Sequence, residues 1–253
     1  MLQLAPLAGQ RPKTYKTSMS DRTSRSIANL PIPGGWTERE VAVEPRTFRL
    51  LTPADPDELL NHLVEPLDTS QPHLADPYWA KLWPAATYLA EAILRIPQSA
   101  IRSPQSPCLE LGCGSGLVGL AALAKGYEVT FSDYVPQAVE LALENAARNG
   151  LCGARGLVLD WRRPASLQFP FIVAADVTYD RTNLGPLLDT IERMLAPRGE
   201  AWLGDAGRGP AAEFLTLAAD RGFAVSLFDE HDRPAIVPAL GRCQRIVLRR
   251  AAG

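Results

Sequence analysis

From residue 107 onward the chain alternates short apolar strands with amphipathic helices, and this alternation limits the folds open to it. Strands are predicted at Pro107–Leu111, Glu128–Phe131, Leu157–Asp160, Phe169–Asp176, Glu200–Gly204, Phe223–Phe228 and Gln244–Arg249. Helices are predicted at Leu117–Lys125, Pro136–Asn149, Leu184–Leu195 and Pro210–Arg221. Strands that alternate with helices of this length form a parallel sheet covered on both faces. No helical pattern separates the last two strands, so the seventh is expected to run antiparallel. The expected fold is therefore a doubly wound, Rossmann-like α/β domain. Its seven-stranded sheet ends in an antiparallel strand.

The first strand leads into Glu110-Leu-Gly-Cys-Gly-Ser-Gly116 and then a helix. Glycines let the backbone turn sharply and let a ligand approach where a Cβ would clash. The helix that follows points its first amides at that ligand. A dinucleotide site needs G-x-G-x-x-G. Here Gly112, Gly114 and Gly116 alternate instead, and Glu110 precedes them. A carboxylate there would repel a pyrophosphate and suits a ligand with an ammonium group. Asp133 ends the second strand, where a carboxylate can accept from ribose hydroxyls. Asp160 ends the third, within reach of an adenine amino group, or else serves as a turn or helix-cap residue.

This set of residues resembles the class I, seven-strand S-adenosylmethionine-dependent methyltransferases, over about residues 74–249. The resemblance implies that Gly112–Gly116 holds the methionine portion of S-adenosyl-L-methionine and Asp133 its ribose. It also implies that Asp160, with Leu159 and Trp161, frames the adenine. Further segments are similar to one subgroup, the protein lysine methyltransferases that include the enzyme of the electron-transfer flavoprotein β subunit and its bacterial relatives. These are Pro77-Tyr-Trp-Ala-Lys-Leu-Trp-Pro84 and Ala175-Asp-Val-Thr-Tyr-Asp180. By that likeness Trp83 packs on the cofactor, while Asp176 and Tyr179 form the acceptor side and are the candidate catalytic pair. A carboxylate there can orient an amine, and a ring can wall a channel and favour a sulfonium. Asp176 could equally cap the next helix, and Trp79 and Trp83 could be core aromatics.

The implied reaction is in-line transfer of a methyl group to a neutral amine, most simply a protein lysine. A small-molecule amine is the alternative acceptor. The Asn/Asp-Pro-Pro motif of amide and base methylation is absent after strand four, and the only Pro-Cys, Pro107-Cys108, lies on the wrong side for cytosine C5 chemistry. An NAD(P)-dependent oxidoreductase and an inactive cofactor-binding module are the readings from other classes. The first lacks its glycine spacing. The second is disfavoured by the intact Glu110, the three glycines and Asp133.

Composition narrows the partners. With 26 Lys and Arg against 28 Asp and Glu, the net charge of -2 argues against a dedicated nucleic-acid binder. Cys108, Cys113, Cys152 and Cys243 are scattered, and His62, His73 and His231 show no ligand spacing. No disulfide framework or metal site is expected, and a reducing cytoplasm is the simpler setting. No membrane span or signal peptide is apparent. A cytoplasmic monomer acting on a protein is the expectation. Residues 1–35 are read as a disordered leader and 36–73 as a hairpin-plus-helix segment. Residues 74–253 are read as the methyltransferase domain. The hairpin is placed at 39–51, and the helix at Asp55–Val64 with Asp55 as its cap.

Overall fold

A computed structural model describes residues 14–16, 26–61, 77–97, 99 and 105–250. A strand β1 (Thr14–Lys16) comes first. The hairpin follows as β2 (Trp36–Val43) and β3 (Arg46–Pro53), longer than expected because pairing runs on from Val43–Arg46 to Trp36–Pro53. Helix α1 (Pro56–Asn61) starts under Asp55, whose Oδ1 accepts from the Glu58 amide at 2.9 Å. The predicted continuation of this helix to Val64 lies outside the described residues. A 3-10 turn at Pro77–Ala80 precedes α2 (Pro84–Leu94), and Pro84 stands in the first turn of that helix.

The predicted alternation then appears in order. It runs β4 (Pro107–Leu111), α3 (Leu117–Ala124), β5 (Glu128–Asp133), α4 (Pro136–Arg148), β6 (Ala154–Val158) and β7 (Phe169–Ala175). After these come α5 (Arg181–Met194), β8 (Leu195–Asp205), α6 (Ala211–Asp220), β9 (Phe223–Phe228), β10 (Pro234–Ala235) and β11 (Gln244–Arg250). The strand order is β1-β6-β5-β4-β7-β8-β11-β9-β10. The run from β6 to β8 is parallel, and β11 is antiparallel to both β8 and β9. The seven expected strands are all present, with the last antiparallel. Two short strands, β1 and β10, extend the edges.

Side chains alternate across this sheet. In β7, Phe171 and Val173 enter a core with α2, α3 and α4, while Ile172 and Ala174 enter one with α5 and α6. Strand order reverses at β4, which has β5 on one side and β7 on the other. The crevice at the carboxyl ends of β4 and β7 is the ligand position for a sheet of this kind.

The hairpin is fixed to this frame by two asparagines one turn apart, Asn145 in α4 and Asn149 at its C-cap. The Leu51 amide donates to Asn145 Oδ1 at 2.7 Å, and Asn145 Nδ2 donates to the carbonyls of Leu51 at 3.2 Å and Ser115 at 3.0 Å. Asn149 makes the same pair of bonds with Arg49, at 2.9 and 2.7 Å.

Part of the stretch read as a disordered leader lies within the fold. Residues 1–13 and 17–25 lie outside the described residues. Thr14–Lys16 pairs with β6, and Ile27 is buried with Leu59, Trp79 and Val135. Leu30, Ile32 and Trp36 pack on the same cluster. Those apolar residues are too widely spaced in the sequence to show a period, yet they pack together on one cluster.

Candidate functional site

A cleft of about 370 Å³ opens at the carboxyl ends of β4, β5 and β7. Its wall includes Trp83, Glu110, Gly112, Gly114, Asp133, Asp160, Trp161, Asp176 and Tyr179. Nine of the ten residues singled out from sequence thus meet in one cleft. The tenth, Gly116, stands behind it. A Cβ there would meet the Ala142 Cβ at 2.7 Å, so this glycine serves close packing of α3 on α4.

The glycine turn is shaped by what crosses it. Gly112 and Gly114 have φ of +63° and +49°, a region that side chains disfavour. A Cβ at Gly114 would stand 3.0 Å from the Trp79 carbonyl, and one at Gly112 would stand 3.2 Å from Val177. The two glycines therefore let Trp79 and Val177 pass close over the turn where the cleft begins.

Two carboxylates hold the turn. Asp133 Oδ2 accepts from the Gly114 amide at 3.2 Å, and Oδ1 accepts from Val135 at 3.0 Å. Glu110, 3% exposed, accepts from the Gly119 amide at 3.0 Å. It thereby caps the first turn of α3 from the neighbouring strand. Burial pushes its carboxyl up to about 8, against the pull of those helix amides. Burial also pushes the Cys108 and Cys113 thiols well up, which leaves them unreactive as core residues.

Asp160 lies in the turn after β6, where its Oδ1 accepts from the Arg162 amide at 2.9 Å. Trp161 lies beside Gly112. Asp160 is thus a turn residue, as one of the two readings had it, and it also lines the cleft.

The other end of the cleft is aromatic. The Tyr78 ring lies 6.2 Å from Trp83 and 5.6 Å from Tyr179. Trp83 Nε1 donates to the Tyr78 carbonyl at 3.0 Å, and both tyrosines are partly exposed. Asp176 ends β7 with φ +52° and is buried. It caps a helix, though not the following one. Its Oδ2 accepts from the Ala85 amide of α2 at 2.9 Å, and its Oδ1 accepts from Arg208 Nε at 3.3 Å. Burial raises its pKa, opposed by the Ala85 amide and Arg208. The following helix, α5, is capped by Asp180.

Sequence reasoning passed over Arg208, Asp205, Gln244 and Gly119. Asp205 is fully buried and accepts from Gln244, Thr178 and the amides of Gly207 and Arg208. Gly119 has no room for a Cβ, which would lie 2.3 Å from Phe131. None of these residues stands in a motif. Their partners come together only through strand order. Among the described residues no group of acidic, histidine and cysteine side chains could hold a metal, and no helix is long and apolar enough to cross a membrane.

A family model described as lysine methyltransferase matches residues 68–208. The chain is 35% identical over 87 residues to a ribosomal protein L11 methyltransferase of Edwardsiella ictaluri, covering 34% of this chain and 30% of that protein. It is 32% identical over 130 residues to the protein-lysine methyltransferase METTL21E of Bos taurus, covering 47% and 44%. It thus spans less than half the length of these curated relatives. Among solved structures it resembles a TehB-like SAM-dependent methyltransferase from Corynebacterium glutamicum, with a TM-score of 0.53 at 21% identity. That match covers 78% of this chain and all of the other, and it shows a shared fold.

Proposed function

The chain belongs to the lysine methyltransferase family, and from that premise we propose that it transfers a methyl group from S-adenosylmethionine to a protein lysine. One observation carries this reading. A single cleft joins a glycine turn flanked by two acidic side chains, at one end, to an aromatic mouth at the other. When bound, S-adenosylmethionine supplies an electrophilic methyl group on a sulfonium.

The residues fit that group. The turn at Gly112 and Gly114 is the part of the cleft we assign to its methionine portion, with Glu110 beneath. We assign Asp133 to the ribose hydroxyls and Asp160 with Trp161 to the adenine, since all three line the same cleft. Trp83, Tyr78 and Tyr179 wall the opening with rings, which exclude water. Asp176 fixes the start of α2 and so the position of Trp83. The work of the site is positioning, because a correctly placed amine needs no covalent enzyme intermediate.

A protein acceptor is favoured over a free amine by the loop before β11. Ile236, Val237 and Leu240 are 97%, 72% and 76% exposed. They belong to the same sheet edge as the cleft, because Gln244 pairs with Asp205 and the Gly241 amide donates to the Gly207 carbonyl at 3.0 Å. An exposed apolar run of this kind marks a macromolecular contact.

The test is incubation of the protein with methyl-labelled cofactor and a cell lysate. A discrete labelled protein band is expected, with the label on lysine by mass spectrometry. Asp176→Ala should lose this labelling while still binding S-adenosylhomocysteine. Label confined to small molecules would instead establish the free-amine reading.

A further inference from the structure

Two cations of the chain, Lys81 in the cleft wall and Arg208, stand near the Trp83 ring. Arg208 follows β8, and its amide donates to Asp205 Oδ1 at 3.0 Å beside that of Gly207 at 2.7 Å. Asp205 is in turn bound by Thr178 and by Gln244 Nε2 at 2.8 Å. The backbone of Arg208 is thus fixed from inside the sheet edge. Its side chain reaches Asp176, Nε to Oδ1 3.3 Å, and its guanidinium carbon stands 5.4 Å from the Trp83 ring centre. Lys81 Nζ stands at 5.4 Å from the same ring. The second oxygen of Asp176 is taken by the Ala85 amide.

A carboxylate beside an aromatic face is what recognises an ammonium group. Here the chain's own arginine occupies both. Resting on the methyltransferase reading, we propose that Arg208 is a specificity-determining residue that fills the cation seat between Asp176 and Trp83, so that the opening admits the acceptor nitrogen only as a neutral amine.

The groups around Asp176 support this direction. Arg208 and Asp205 face it from the end of β8, the Cys243 thiol from the segment before β11, and the Ala85 amide from α2. An incoming ammonium meets the Arg208 guanidinium, Lys81 being paired with Asp57 at 2.7 Å, and finds each Asp176 oxygen already accepting a hydrogen bond. A neutral amine meets neither obstacle, and it carries the lone pair that a methyl acceptor needs. A free lysine has a pKa of about 10.4. Its proton is therefore given up to bulk water before entry, not to a base in the site.

The experiment titrates n-butylammonium at pH 7 into the full-length ¹⁵N-labelled protein and follows the Trp83 indole N–H resonance, assigned with Trp83→Phe. It is run with and without saturating S-adenosylhomocysteine. Wild type should show no saturable shift. Arg208→Gln frees Asp176 Oδ1 and should bind n-butylammonium about tenfold or more tightly than wild type, the worth of a charge-assisted hydrogen bond. Arg208→Lys restores the cation and should behave as wild type. The double variant with Asp176→Asn should lose the gained affinity. Wild-type binding equal to that of Arg208→Gln would overturn the proposal. So would a folded Arg208→Gln protein that binds no n-butylammonium. Failure of wild type to bind S-adenosylhomocysteine would strike the cofactor reading, while the titration without it still decides who occupies the seat.

Discussion

The carboxylate of Asp133 holds two amides, those of Gly114 and Val135, while lining the cleft. Asp133→Ala should therefore cut affinity for S-adenosylhomocysteine sharply in calorimetry; unchanged affinity would remove it from the site. Glu110 makes a pH prediction. Its folded-state value of about 8 lies above the ordinary 4.5, so between those values the folded protein holds a proton that the unfolded chain has released. Its stabilising contribution is complete below about pH 4.5 and declines as pH rises to about 8, by on the order of a few kcal/mol. The urea midpoint of the cofactor-free protein should fall across that window, and Glu110→Gln should flatten the fall. Asp133 and Glu110 were readable because the motif places them at strand ends. Arg208 was not, because an arginine after β8 gains its meaning only when strand order sets it against Asp176 and Trp83.

At the level of elements, the helices and strands after residue 107 were legible because their two periods differ and their ends carry Pro, Gly and Asp. β1 and β10 were not, since strands of three and two residues have no period to read. Strand β8 begins at Leu195, earlier than Glu200, because pairing with β7 carries through a register shift at Phe169–Phe171. Glycines test how tightly the elements fit. A Cβ at Gly116 or Gly119 would collide with Ala142 or Phe131, whereas one at Gly185 in α5 meets nothing within 4 Å. Gly116→Ala and Gly119→Ala should each lower stability by about 1–3 kcal/mol. Gly185→Ala should raise it by about 0.5–1 kcal/mol. Denaturant midpoints of the three variants check this, and a neutral Gly119→Ala would mean that α3 can move away from β5.

For the whole molecule, the two cores and the reversal of strand order at β4 follow from local patterns that agree with one another. The fold class was therefore readable from the sequence. What escaped was the join between the N-terminal segment and the sheet, which rests on side chains far apart in the chain. Asn145 and Asn149 are that join. Each presents a side-chain amide to β3 as a neighbouring strand would, and Asn145 also grips the Ser115 carbonyl within the glycine turn. One residue thus ties the hairpin edge to the floor of the cleft, and coupling of this sort is reciprocal. Ligand that steadies the turn should slow deuterium exchange at the amides of Leu51 and Arg49, outside the cleft. Asn145→Ala should abolish that protection at Leu51 while leaving exchange in β7 unaltered. If protection survives, the two parts are joined by another route. If it is lost, the hairpin serves as an outward reporter of cleft occupancy, its hydrogen bonds tightening and loosening with each turnover.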